Sequence, residues 1–371
     1  MRDAYPDALG SDTIPAMRLA ALLLVGQMLT AAPYLMYVGT YTQKGSKGIY
    51  AWRFDAKTGT ATALGVMAET PSPSWLIQSP NKPVLYAANE VSDYQGLKSG
   101  AVSSWKMDRA TGKLQQLSIA PSRGDGPCHV AVDAKGQFVY VANYGGGSVA
   151  RYPVKLDGAL GESDKFVQQA GAGKTAHAHQ VTIAPDNKSL VVMDLGLDQA
   201  ITYDLDLKRL AEVTGKQGAG PRHMALAPSH KYAYILNELE SSVSTYKYDG
   251  RALTFVSTVS SLPAGFTGKD SSAEITVHPS GKFLYASNRG ADTIAMFRIG
   301  KDGALGAAEQ MTSGGKSPRN FAIDPTGKWM LVANQDTDNI VIYKIDGGSG
   351  KLTATGRELK TSMPVSLLFI R

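Results

Sequence analysis

Short apolar segments alternate with polar turns in one fixed order along most of the chain. An apolar segment ending at Pro or Asp leads into a polar turn. A second apolar segment then ends in Asn or Asp, and a third closes on an aromatic residue shortly before an Asp or a similar polar residue. Segments of this kind, bounded by turn residues, predict β-strands. The opening segment recurs as Pro73–Pro80, Pro127–Ala134, Ala178–Pro185, Pro221–Pro228, Ser272–Pro279, Pro318–Pro325 and Pro364–Arg371. Sixteen residues after each of the first six starts stand Asn89, Asn143, Asp194, Asn237, Asn288 and Asn334. The starts are 54, 51, 43, 51, 46 and 46 residues apart, which is the period of propeller blades.

The last opening segment has no blade behind it, and its missing strands sit at the other end of the chain. Leu35-Met-Tyr-Val-Gly-Thr40 matches Val84-Leu-Tyr-Ala-Ala-Asn89, Gly48–Asp55 matches a third strand, and Thr60–Glu69 supplies a fourth. The pattern therefore predicts an all-β chain: a seven-bladed β-propeller of four-stranded antiparallel blades, its ring closed by the C-terminal strand joining the N-terminal blade. Such a closure hides two strand edges that would otherwise invite aggregation. The propeller is expected to span residues 34–371 as one domain.

The first 33 residues do not share the repeat. An apolar run of 11 residues, Leu19–Leu29, follows Arg18 and precedes the small residues Thr30, Ala31 and Ala32. That order is the one a secretory signal shows, and the run is too short for an ordinary membrane span. The expectation is export to the periplasm or medium with no stable membrane span, Met17 being an alternative start to Met1. An apolar helix packed on the propeller is the structural alternative.

Charge narrows the partners. The chain carries 38 basic and 32 acidic residues, and without residues 1–32 the counts become 36 and 29, a net +7. A basic surplus favours an anionic partner. The Lys and Arg residues are scattered over turns rather than gathered in a stripe, so nucleic acid is not expected, and a small anionic molecule fits better. Cys128 is the only cysteine, which removes any intramolecular disulfide and any cysteine-based zinc site.

In antiparallel blades the start of the inner strand and the loop after the second strand lie on one face of the disc. The opposite face carries look-alike turns such as Pro185-Asp-Asn-Lys and Pro325-Thr-Gly-Lys, which read as structural punctuation. The first face is chemically varied. After the seven strand starts come Ser74, Cys128, His179, Arg222, Ala273, Arg319 and Val365, then Trp75, His129, Gln180, His223, Glu274, Asn320 and Ser366. After the repeated Asn or Asp come Glu90, Tyr144, Leu195, Glu238, Arg289 and Gln335. Varied charged and aromatic residues on a constant frame are the signature of a ligand site at the channel mouth.

Several of these residues admit a structural reading beside the functional one. The repeated Asn or Asp is expected to bond its own turn rather than hold a metal ion. His177 and His179, two residues apart, face one side of a strand but lack an evident third metal ligand, so no metal and no cofactor are expected. Cys128 and His129 are adjacent, and strand alternation points them to opposite faces, against a nucleophile pair. Arg222 and Glu238 fall at one end of an antiparallel pair, with Arg289 in the next blade. They form either a structural ion-pair network or a base beside an anion clamp, for which paired guanidinium groups suit a carboxylate or phosphate. Two longer polar insertions, Val91–Gly100 and Leu262–Ser272, are lids or solvated loops.

Taken together, Tyr37-Val-Gly-Thr-Tyr-Thr42, Ala176-His-Ala-His179, Asp194-Leu-Gly-Leu-Asp198, Gly220-Pro-Arg-His223, Asn237-Glu-Leu239 and Ser287-Asn-Arg289 resemble the seven-bladed propeller lactonases, over about residues 34–371. That family includes bacterial 6-phosphogluconolactonases and fungal carboxymuconate lactonizing enzymes. The resemblance implies a metal-independent lactone hydrolase, with Arg222, Glu238, Arg289 and His177 or His179 at the site. The residue chemistry then favours His179 as the base, because two arginines hold a neighbouring Glu238 acidic. His177, His129, His223, Glu90, Tyr144 and Arg319 are the expected substrate contacts, and a monomer is expected. A carboxymuconate-type cycloisomerase and a non-enzymatic exported binding propeller are the alternatives. A cytoplasmic phosphorylated substrate also sits awkwardly with an export signal.

Overall fold

The computed structural model describes residues 33–171 and 173–370, so the signal-like segment Leu19–Leu29 and the choice between Met1 and Met17 lie outside the described residues. The compact unit is Pro33–Arg371. Its 28 strands, numbered β1–β28 in chain order, form seven four-stranded antiparallel sheets. Among the described residues there is no helix.

The inner strands are β4 (Pro73–Gln78), β8 (Pro127–Val132), β12 (Ala178–Ile183), β16 (Pro221–Leu226), β20 (Ser272–Val277), β24 (Pro318–Ile323) and β28 (Pro364–Phe369). All seven begin at the expected residue and each ends two residues early. In the first six, those last two residues belong to the connection to the second strand. Asp133, for example, turns away from the ladder and accepts hydrogen bonds from the backbone of Gln137 and Phe138. The closing blade is ordered β28, β1 (Tyr34–Thr40), β2 (Gly48–Asp55), β3 (Thr60–Glu69), with Val38 opposite Leu367.

The blades are locked together by a tyrosine that recurs three residues before the end of the second strand. Tyr37, Tyr140, Tyr234 and Tyr285 are buried, and each hydroxyl donates to a backbone carbonyl in the outer hairpin of the next blade: Gly112, Leu205, Gly303 and Gly350. Burying each ring stabilises the ring of blades by about 2 kcal/mol. Gly303 and Gly350 have φ near 77° and 79°, and a Cβ at either would strike the ring of Tyr232 or Phe283.

Every inner strand carries a β-bulge near its start. The register jumps from Pro73 to Trp75, Pro127 to His129, Ala178 to Gln180, Pro221 to His223, Ser272 to Ile275 and Pro318 to Asn320, and Val365 is skipped between Pro364 and Ser366. A bulge breaks strict alternation and re-aims side chains. Consecutive residues can therefore both face the channel.

Candidate active site

The bulges build the channel mouth. A small cavity there is lined by the bulged residues Ser74, Cys128, His179, Arg222, Arg319 and Val365, together with Trp75 and His223 one position on. Arg222 and His223 are neighbours in sequence and both reach it, which strict strand alternation forbids.

Arg222 is the centre of the site. It is 3% exposed, and its Nε lies 2.8 Å from Glu238 Oε2. The N–H is not directed along that line, so the contact is an ion pair rather than a hydrogen bond. Its Nη1 donates to the carbonyl of Ala273 in the next blade. Arg289 approaches the other oxygen of the same carboxylate at 2.8 Å, and also donates to the carbonyls of Ser271 and Ser272. Burial alone would push the Glu238 carboxyl up, but Arg222, Arg289 and Arg319 outweigh it and hold the group below its usual value. Burial works against the Arg222 cation and brings its pKa to about 10, with Glu238 countering, so it stays charged near neutrality.

His179 Nε2 stands 4.0 Å from Glu238 Oε2, and its Nδ1 is buried with no hydrogen-bond partner among the described residues. Burial, reinforced by Arg222 and the other cations, drives its pKa well below the ordinary imidazole value. It is therefore neutral at pH 7, the form a base needs. Tyr144 stacks on His177 at 4.6 Å and meets His179 edge-on at 5.5 Å. His177 Nδ1 bonds the Tyr144 carbonyl at 3.0 Å, so His177 supports Tyr144.

Across the mouth, Glu90 accepts from the Tyr41 hydroxyl at 2.8 Å and lies 3.8 Å from Arg319, whose guanidinium covers the Tyr41 ring. Arg319 also borders a cleft of about 360 Å³ with Arg289, Lys269, Ser271 and Gln335. The Leu262–Ser272 insertion thus contributes to this cleft. The Val91–Gly100 insertion instead bonds the connection between the first two blades.

Below the mouth the channel is plugged by aromatic rings. Trp75 lies 4.2 Å from the ring of His129 and meets His223 edge-on at 5.2 Å. His129 is buried in this stack behind the cavity rather than in its lining. Cys128 directs its thiol to the carbonyls of Ala178 and His179, and burial pushes the thiol pKa up, so it offers no thiolate. The repeated Asn does more than bond its own turn. Asn89, Asn143, Asn288 and Asn334 each donate to a carbonyl in the connection entering their blade, while Asn237 bonds Ser242 and Ser244. Among the described residues no group of three His, Cys, Asp or Glu side chains has metal-binding geometry.

Two residues of the site were given no role from sequence, although Glu274 was placed on the mouth face. Tyr41 sits in the Tyr37–Thr42 motif, and Glu274 occupies the ring position of His223 one blade on. The repeat register was the signal for Glu274, since 51 residues separate the two as they separate the blade starts.

A seven-bladed propeller with a buried, cationic, asymmetric channel mouth defines an enzyme rather than a uniform scaffold. The chain belongs to the seven-bladed β-propeller lactonases: the family model "Lactonase, 7-bladed beta-propeller" matches residues 35–369. It is thus a lactone hydrolase by family. It is 34% identical to a 6-phosphogluconolactonase of Bacillus subtilis over 91% of this chain and 98% of that one. A 6-phosphogluconolactonase of Formosa agariphila is also 34% identical, over 77% of this chain and 85% of its own length. Among solved structures, the periplasmic gluconolactonase of Pseudomonas aeruginosa superposes with a TM-score of 0.85 at 31% identity, over 91% of this chain and 99% of that one.

Proposed function

We propose that the protein opens a sugar-acid lactone carrying an anionic group, without a metal ion, at the mouth formed by His179, Arg222, Glu238 and Arg289. The observation that carries this reading is the bracketing of one carboxylate by two guanidinium groups beside a neutral, buried imidazole. Neutral His179 takes a proton from water as the water oxygen attacks the lactone carbonyl. Arg222 and Arg289 stabilise the oxyanion that forms, the role otherwise given to an oxyanion hole. Collapse breaks the ring C–O bond, and the alkoxide takes the proton back from His179.

Glu238 orients the arginines and is too acidic to act as the base. The three arginines also weaken His179 as a base. A bound anion offsets their charge and restores basicity where substrate is present. Glu90, Tyr144, His177, His223 and Arg319 would contact or support the substrate, with its distal anionic group towards Arg319 and Arg289.

The names of the relatives fit phosphorylated and unphosphorylated gluconolactones as the first substrates to try, and the periplasmic neighbour fits export of this chain. The test is pH-stat turnover of residues 33–371 on both lactones after subtracting spontaneous hydrolysis, with and without EDTA, beside Arg222→Ala. Turnover that EDTA spares and Arg222→Ala abolishes supports the reading. Muconate turnover without lactone opening would replace it with a cycloisomerase.

A further inference from the structure

Behind Arg222 lies a second buried acid that the reaction scheme does not use. Glu274, on β20, is 5% exposed. Its Oε1 lies 3.3 Å from His223 Nδ1 and accepts from the Ile275 backbone at 3.0 Å, and its Oε2 accepts from Asn320 Nδ2 at 2.6 Å. The carboxylate thus joins three inner strands, β16, β20 and β24. His223 in turn touches Arg222, whose Nη1 is 3.3 Å from Nε2 and 3.4 Å from Nδ1.

We infer that Glu274 is a positioning residue for the hydrolysis: ionised, it fixes the tautomer of His223 that holds the Arg222 guanidinium at the channel mouth. This rests on the function proposed above. Ionised Glu274 only accepts hydrogen bonds, so His223 must place its proton on Nδ1. Nε2 then carries the lone pair and is the one ring atom able to accept from Arg222. A proton on Glu274 reverses the link. The acid donates to Nδ1, the imidazole proton moves to Nε2, and that N–H confronts the donor groups of Arg222. No proton is gained or lost by His223 in this exchange, only its position on the ring changes.

The groups facing Glu274 agree with a titration near neutrality. Burial raises its pKa to about 7 against the pull of Arg222 from β16 and of the Ile275 N–H on its own strand, with Asn320 and Arg319 acting from β24 in the same downward sense. His223 itself is neutral, since burial and Arg222 drive its pKa well below the ordinary value. His179 is likewise far below that range in the free enzyme, so an inflection near pH 7 in kcat/KM belongs to neither histidine.

The experiment has two readouts. The first is nitrogen-15 NMR of the imidazoles between pH 5.5 and 8.5. The chain has only six histidines, so His223 is assigned by substitution. The expected result is neutral His223 carrying its proton on Nδ1 above pH 7 and on Nε2 below it, with the change absent in Glu274→Gln. The second is the pH profile of kcat/KM, which should rise through about 7 in the wild type. Glu274→Gln should lose that limb and fall at least tenfold at pH 8, and Asn320→Ala should move the limb to higher pH by removing a donor to the carboxylate. A His223 tautomer that does not change with pH overturns the inference, and so does a Glu274→Gln profile matching wild type. If Glu274→Gln does not fold, the displaced limb in Asn320→Ala decides, and an unmoved limb sinks the idea. Because the NMR readout needs no substrate, a protein inactive on lactones but showing the tautomer change would separate failure of the proposed reaction from failure of this pair.

Discussion

The two faces of the disc use polar side chains in opposite ways. On the face of the inner-strand turns, side chains mostly serve their own hairpin. Asp324 accepts from the backbone of Lys328 and Trp329, four and five residues on, and Asp133 does the same for Gln137 and Phe138. Where that face links blades, a side chain often meets a backbone carbonyl, as between Asn81 and Lys135 or His278 and Gly327, although Asn187 reaches the Asp133 carboxylate and Arg151 that of Asp206. On the mouth face, side chains meet side chains from different blades: Arg289 with Glu238, His223 with Glu274, Asn320 with Glu274, Arg319 with Glu90. The first face builds the scaffold and the second spends that rigidity on holding charges close together.

If that division is real, function and stability should separate by face. The largest effect expected is for Arg222→Ala, about a 10²–10³-fold fall in kcat/KM, the cost of losing one preorganised oxyanion donor. His179→Asn follows with a fall of about 10²-fold in kcat through loss of the proton acceptor, read by initial rates at pH 7.5. Glu238→Gln should cost roughly tenfold, or about 1.4 kcal/mol, because it loosens both arginines while leaving the base in place. Turnover within threefold of wild type would remove Glu238 from the site altogether, and a collapse to the level of Arg222→Ala would make it the base instead of His179.

The opposite face should answer in the other currency. Asp324 is fully buried and saturates four donors of its turn. Asp324→Ala leaves backbone N–H groups unpaired and should cost about 1–3 kcal/mol of unfolding free energy in urea. Its kcat/KM should stay at wild-type level. A loss of activity in a protein still folded at the assay temperature would show that the two faces are coupled.

The scaffold was largely legible in the sequence because its signals are local and repeated seven times. The inner-strand starts and the repeated Asn depend on residues close together in the chain, and the split blade follows from finding parts of the same local pattern at the two ends. The site was legible only as far as the register carried it. That register brought Arg222 to Glu238 and placed Arg289 nearby. It could not reveal the bulges, since one or two skipped residues in each inner strand leave no mark in an apolar–polar pattern. Strand alternation alone therefore does not anticipate that neighbours such as Arg222 and His223 share the cavity. Nor could it show that His129 is stacked behind the mouth, or that Glu274 binds His223 and Asn320 behind Arg222. Those outcomes are set by side-chain packing across blades, at separations of about fifty residues.

The same asymmetry should appear in stability against pH. His129, His179 and His223 all lie on the mouth side, and burial holds each well below its ordinary pKa of 6.5. Below pH 6.5 the unfolded chain takes up three protons that the folded chain refuses, so stability falls as pH falls. Glu274 works in the reverse sense. Its folded pKa of about 7 exceeds the unfolded 4.5, so it adds stability as pH drops between those values. Three groups against one leave a net loss of about 1–2 kcal/mol between pH 6.5 and 5.5. Urea unfolding at the two pH values reads this directly. Glu274→Gln should enlarge the loss, since it removes the one opposing group, and His129→Asn should shrink it. A stability that stays level or rises on acidification would mean that these imidazoles accept protons in the folded protein, and the neutral base at the mouth would have to be abandoned with them.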